Sequence, residues 1–406
     1  MASTSEIPIG ERIRFYREAQ RKTQAVVAGL AGITDDYLSQ IERGLKTPTI
    51  ALLHRIARIL DVSTSALLGE PPPEPDDLGS PAIPTIHRAL LGYGPSRAGL
   101  GHTDLGDLRG RVDAAWTSWQ TAPTRYTSTG ALLPDLILDV EQATRQFDGA
   151  DELQERRESF RLAADLYFLL RTFCKRIGRL DLSLLVADRA TRAAEAADDP
   201  LRMSAAKWNL GHVLLAANHP EGAEDVAVTA AEELEPGLPN ADPRFTALYG
   251  ALQLVAAMAA VRNGDAWTAR DRLREKARPA AARAGEGNVC WTVFGPTNVG
   301  LHEVSLEVEA GEAAEALRLA DRVDASRSPS IERRATFLLE LARCYEQRRE
   351  DPAVLLHLLS AERQAPEDMR YNLLARDLVR GLVKRARPSY GAEARGLAGR
   401  IGLLAS

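Results

Sequence analysis

The sequence predicts an all-α protein built from a small helical head and a longer array of helix pairs. Three observations carry this. Ala, Leu and Arg recur at helical spacing while aromatic residues make up only 5% of the chain, which favours helix over strand. A run containing Pro71, Pro72, Pro73, Pro75, Pro81 and Pro84 lacks backbone donors and favours extended geometry, so it reads as a semi-rigid tether. Beyond it, amphipathic stretches alternate with Gly, Pro, Asn or Asp breaks, the pattern of a helical array.

A length of 406 residues exceeds the roughly 250–300 that one core organises. The expected division is a head over 8–69, a Pro/Gly-rich linker over 70–106 and an array over 107–403.

Within the head, Ile9, Ile13 and Tyr16 form one apolar stripe at i, i+4 and i+7. Thr23 is placed to cap a second helix whose Val27, Ala28 and Ala31 face inward, and Gly32 suits the turn after it. Thr34 caps a third helix, Asp35 to Arg43, with Leu38 and Ile41 buried, and Gly44 ends it. Leu53, Ile56, Ala57 and Leu60 make the stripe of a fourth helix, and Ser63 starts a short fifth.

The run Thr23-Gln24, Ala28, Ala31-Gly32-Ile33-Thr34, Tyr37-Leu38-Ser39-Gln40-Ile41-Glu42-Arg43-Gly44 and then Pro48 resembles the Cro/phage-repressor (XRE) helix-turn-helix family. The resemblance implies a five-helix, lambda-repressor-like DNA-binding domain whose third helix enters the major groove. It places Asp35, Asp36, Ser39 and Gln40 toward base edges. It places Thr23, Gln24, Arg43 and Lys46 toward phosphates, and makes Arg17–Glu42 an ion pair tying the first helix to the third.

Each assignment has a plainer alternative. Asp35 and Asp36 sit in a first helical turn, where anions oppose the dipole favourably by roughly 0.3–1 kcal/mol. If they read bases, a carboxylate only accepts, so a cytosine or adenine amino group is the target. Gln40 suits bidentate bonding to adenine or simple exposure to solvent. Arg43 and Lys46 are phosphate ligands or ordinary surface cations.

The net charge is −5, yet residues 1–70 hold nine of the 51 Lys and Arg against eight of the 56 acids. A nearly neutral head serves if its cations face the phosphates. One such head buries too little to find a site in a genome unaided, so a homodimer on an inverted-repeat operator in double-stranded DNA is expected, paired through the array.

In the array, breaks at Gly178, Asn218, Gly264, Gly311 and Arg349 to Asp351 recur every 39 to 47 residues. In Ser204 to Pro236, Leu210, Gly211, Leu214, Ala223 and Ala230 fall where a tetratricopeptide repeat (TPR) places its packing residues. Ala269 and Ala316 repeat the small-residue feature. A TPR-like α-solenoid with a concave face is expected. Helical counting turns Trp208, Asn209, His212 and Leu215 inward, then Leu254 and Met258. Asn298, Leu301 and His302 follow, with Glu340 and Arg343 after them. That mixture suits a peptide or small-ligand groove. Alternatively, Asn209 and Asn298 bond locally between helices, and Trp208 is core.

An XRE-type head joined to TPR-like repeats resembles the peptide-responsive quorum-sensing regulators of bacteria. The resemblance implies a transcriptional regulator whose array binds a signal peptide or small molecule. The competing reading is a protein-interaction scaffold with secondary DNA binding.

No GxGxxG, GxxxxGK, HExxH or GxSxG motif occurs, so neither an enzyme nor a cofactor is expected. The seven histidines pair at no metal-ligand spacing. Cys174, Cys290 and Cys344 lie far apart outside any CxxC. With no basic-then-apolar start and no apolar run of about 20 residues, a cytoplasmic protein without a membrane partner is expected.

Overall fold

The structure is a computed structural model that describes residues 8–20, 22–60, 62, 67, 81–93, 104–147, 153–238, 240 and 242–403. The chain divides into two compact units, Met1–Leu78 and Gly79–Ser406. No strand occurs among the described residues.

The head consists of α1 (Ile9–Ala19), α2 (Gln24–Ala31), α3 (Asp35–Glu42) and α4 (Ile50–Ile59). Ile13, Val27, Ala28, Ala31, Leu38, Ile41, Leu53, Ile56, Ala57 and Leu60 share one core, the set that the apolar spacing marks. Thr23, Thr34 and Thr49 each cap a helix, their hydroxyls accepting from the amides of Val26 (3.3 Å), Tyr37 (3.2 Å) and Leu52 (3.3 Å). The expected fifth helix from Ser63 lies outside the described residues, apart from Leu67, which joins the core.

Gly10 lets α1 lie directly on the carboxyl end of α3. A Cβ there would stand 2.0 Å from the Ile41 carbonyl oxygen.

The second unit begins earlier than the sequence indicates. Within the expected 70–106 linker, residues Ile83–Leu91 form a helix, α5, with Ile86, Ala89 and Leu90 buried. Pro84 lies in its first turn, where a missing N–H costs nothing, so the proline starts a helix there rather than extending the chain. Then come α6 (Leu105–Thr121) and α7 (Arg125–Gln146).

Paired helices follow. They are α8 (Leu153–Arg176) with α9 (Leu180–Ala196), and α10 (Pro200–Ala216) with α11 (Pro220–Leu234). Next, α12 (Pro243–Arg262) pairs with α13 (Ala266–Arg272), which runs through a π turn at Leu273–Ala277 into α14 (Arg278–Ala284). Last are α15 (Pro296–Ala310) with α16 (Ala313–Ala320), and α17 (Ile331–Gln347) with α18 (Asp351–Gln364). Helices α19 (Pro366–Tyr371), α20 (Leu373–Lys384) and α21 (Gly391–Arg400) end the array.

Every repeat break is the turn of one pair, held by a residue with positive φ: Gly178, Asn218, Gly264, Gly311 and Arg349. Small residues set the helix spacing, as expected. A Cβ on Gly211 would meet the Val255 side chain at 2.7 Å, and Ala223, Ala269 and Ala316 are fully buried. Among the described residues only α12 is long and apolar enough to cross a membrane, and 83% of that apolar window is buried in the array core.

The array also closes on itself. Arg125, at the start of α7, is 0% exposed. Its Nε donates to Asp368 of α19 at 2.9 Å and its Nη1 to Glu332 of α17 at 3.0 Å. The guanidinium lies 4.1 Å over the Trp119 ring. Tyr126 stacks on Tyr371 with ring centres 4.5 Å apart, and Glu367 accepts from the Tyr126 amide at 2.7 Å. Arg176 of α8 reaches Glu332 as well, at 2.8 Å.

Candidate nucleic-acid interface and array interior

On α3, Leu38, Ile41 and Glu42 face the core, while Asp35 and Asp36 are exposed and Ser39 and Gln40 half-buried. One edge of the helix is therefore left to solvent. Arg43 and Lys46, both exposed, follow at its end, and Arg43 Nε donates to the Ser39 carbonyl at 3.3 Å.

The helix is fixed from behind by a buried carboxylate. Glu42, 4% exposed, accepts from Arg17 Nε at 2.7 Å and Nη2 at 2.9 Å. Gln24 Nε2 donates to the same carboxylate at 2.7 Å. Gln24, expected toward phosphate, thus also braces α2 against α3. Its place at the helix start carries no sequence signal of that bond.

In the array, the inward residues converge. Arg171 of α8 donates through Nε to Asn209 Oδ1 at 2.7 Å and lies 5.4 Å from the Trp208 ring centre. Asn209, 0% exposed, spends its amide hydrogen on the Ala205 carbonyl at 2.8 Å. Both bonds are local ones, within α10 and between α8 and α10. Trp208 packs edge-on against His212 at 4.5 Å.

His302 Nδ1 bonds the Asn298 carbonyl at 2.8 Å, while Asn298 Oδ1, on a residue 3% exposed, has no hydrogen-bond partner among the described residues. Leu254 lies in the apolar core, and Met258 packs against that core half-buried. Arg343 pairs with Glu309 at 3.8 Å. The sequence pattern singles out none of Arg171, Lys175 and Arg333, because charged residues at helical spacing ordinarily mark a solvated face.

Burial dominates the protonation of this region. It holds the His302 imidazole down at about 3 and the Arg171 guanidinium at about 9, and lifts the Glu340 carboxyl to about 7. The folded state thus keeps His302 neutral, whereas the unfolded chain takes up that proton below 6.5. Its contribution to stability is full above that pH and is lost as pH falls toward 3. Glu340 acts oppositely: its stabilising effect is present below its ordinary 4.5 and is lost as pH rises through about 7. His302→Gln is therefore expected to reduce the stability lost between pH 7.5 and 5 by about 2 kcal/mol, read from urea unfolding at both values. An unchanged difference would show that His302 is not held neutral.

A polar cleft of about 750 Å³ lies between α6, α8, α10 and the loop before α15, lined in part by Arg109, Asp165, Asp199, Arg202 and Cys290. Its charges answer one another. Asp165 takes Arg109 at 2.6 Å and Arg202 at 2.7 Å, and Asp199 takes Arg161 at 3.0 Å.

Residues 8–68 match the family described as a helix-turn-helix domain. The chain is 43% identical over 63 residues to the HTH-type transcriptional regulator SinR of Bacillus subtilis (strain 168), covering 15% of this chain and 57% of that protein. The similarity to the uncharacterized HTH-type transcriptional regulator YazB of the same organism is 37% over 65 residues, 16% of this chain and 90% of YazB. The chain belongs, through its head, to the helix-turn-helix transcriptional regulators of the XRE type. It spans just over half the length of the first of these relatives. Bacillus thuringiensis PlcR, solved in complex with the peptide PapR7 and DNA, aligns over 86% of this chain and 99% of its own at 10% identity and a TM-score of 0.34.

Proposed function

We propose that this protein is a sequence-specific DNA-binding transcriptional regulator whose array senses a peptide or small molecule. The open edge of α3 carries the reading. Asp35, Asp36, Ser39 and Gln40 stand out from a helix locked behind by Glu42, with Arg43 and Lys46 beside it. Rigid presentation of short polar side chains suits base edges, and flanking cations suit phosphates. Two heads, paired through the array, would engage half-sites about 34–36 Å apart.

Gln40→Ala is expected to lose preference for the operator over random duplex, about 1–3 kcal/mol at one base pair. Arg43→Ala is expected to weaken binding to all duplexes and to reduce the salt slope by about 1. Anisotropy titrations at two salt concentrations check both. Equal loss on operator and random DNA for Gln40→Ala removes it from base reading.

A further inference from the structure

Three cations in the array, Arg171, Lys175 and Arg333, make no direct ion pair with an acid among the described residues, although Glu332 lies within electrostatic range of all three. Lys175 of α8 and Arg333 of α17 make no side-chain hydrogen bond or ion pair with any described residue, although both are only half-exposed. The Arg176–Glu332 bond draws them together, since each is the sequence neighbour of one of its partners. Arg171, one turn before Lys175 on α8, hydrogen-bonds the neutral Asn209 and lies against the face of Trp208.

Arg333 also lies within electrostatic range of His212 and His302. His212 of α10 thus lies within electrostatic range of side chains from α8, α15 and α17. Glu332 is shared by Arg125 and Arg176 and Asp368 is paired with Arg125, while Glu340, which accepts from Ser305 at 2.7 Å and lies within electrostatic range of Arg333, is pushed toward its neutral form by burial.

We propose that the centre of the array is a receptor for an oxyanion, the carboxylate or phosphate of its effector, held between Lys175 and Arg333 with Arg171 behind them and Trp208 alongside. This rests on the reading of the array as a sensor. Unpaired cations in a poorly solvated interior raise the free energy of the empty form, and burial accordingly pushes Lys175 well down and Arg333 down. An oxyanion relieves this and binds by charge-assisted hydrogen bonds. The polar cleft offers no such vacancy, because its arginines are already matched.

The test uses the full chain at constant ionic strength, replacing chloride with inorganic phosphate, with tri-alanine bearing a free carboxylate, or with tri-alanine amide. Phosphate or the free carboxylate is expected to raise the melting temperature above chloride, and the amide is not; the stronger of the two identifies the anion's source. The double variant Lys175→Gln/Arg333→Gln is expected to melt no lower than wild type without phosphate, and to lose the response at least about 10-fold in apparent affinity. Lys276→Gln, on an exposed pair with Glu235, retains it.

If the double variant does not fold, amine labelling of wild type read by mass spectrometry replaces it. Lys175 is expected to react early among the lysines and to be protected by phosphate. No oxyanion effect beyond chloride, a double variant that still responds, or Lys175 unprotected overturns the proposal. Operator affinity is measured separately, so loss of DNA preference with an intact anion response counts against the regulator and not against this site.

Discussion

Arg17→Met is expected to unfold the DNA-binding head, at a cost of about 3–5 kcal/mol. Glu42 is buried and takes two of its three hydrogen bonds from Arg17. Removing the guanidinium leaves a carboxylate in the core with only the Gln24 amide. A head of this size has little reserve, because small domains bury a smaller share of their surface. Hydrogen exchange of the full chain should show α1–α3 losing protection while the array keeps its own, and operator binding should vanish. Adding Glu42→Leu should recover most of the protection, since an apolar pair of similar volume removes the unpaired charge. Arg17→Lys should fall between, for an ammonium cannot reproduce the two-pronged contact. A loss below about 1 kcal/mol for Arg17→Met would show that the clamp is not what holds α3.

Arg125→Met is expected to cost about as much in the other unit, about 3–5 kcal/mol, because it strips the buried Asp368 of the cation bonded to it. The contact over Trp119 is lost with it, worth roughly 0.5–2 kcal/mol. Exchange should rise at once in α6–α7 and in α17–α19, whose bonded residues lie 207 and 243 positions apart in the sequence. Asp368→Leu on the same background should restore part of the loss. If exchange rises near residue 125 alone, Arg125 is a local feature and the two ends are held by other means.

Local chemistry was legible in the sequence; distant pairing was not. Thr23 and Thr34 cap helices because a short hydroxyl next to a helical run has an amide within reach whatever surrounds it. The five repeat breaks are the five pair turns, because a left-handed residue excludes most side chains and leaves its mark in composition. Pro84 misled, since the same ring suits an extended tether and a first helical turn. Asn209 could not be assigned until Arg171 lay against it. Neither the Gln24–Glu42 bond nor the Arg125 seam follows from spacing, because both depend on helices meeting in space.

That seam changes how the array should come apart. An open stack of repeats frays from either end, each unit leaving almost independently. Here α7 is tied to α17 and α19, so the helices between them form a hoop rather than a spring and cannot peel away one by one. Breaking the seam is therefore expected to loosen the helices between α7 and α19 together, so that they melt as a single block.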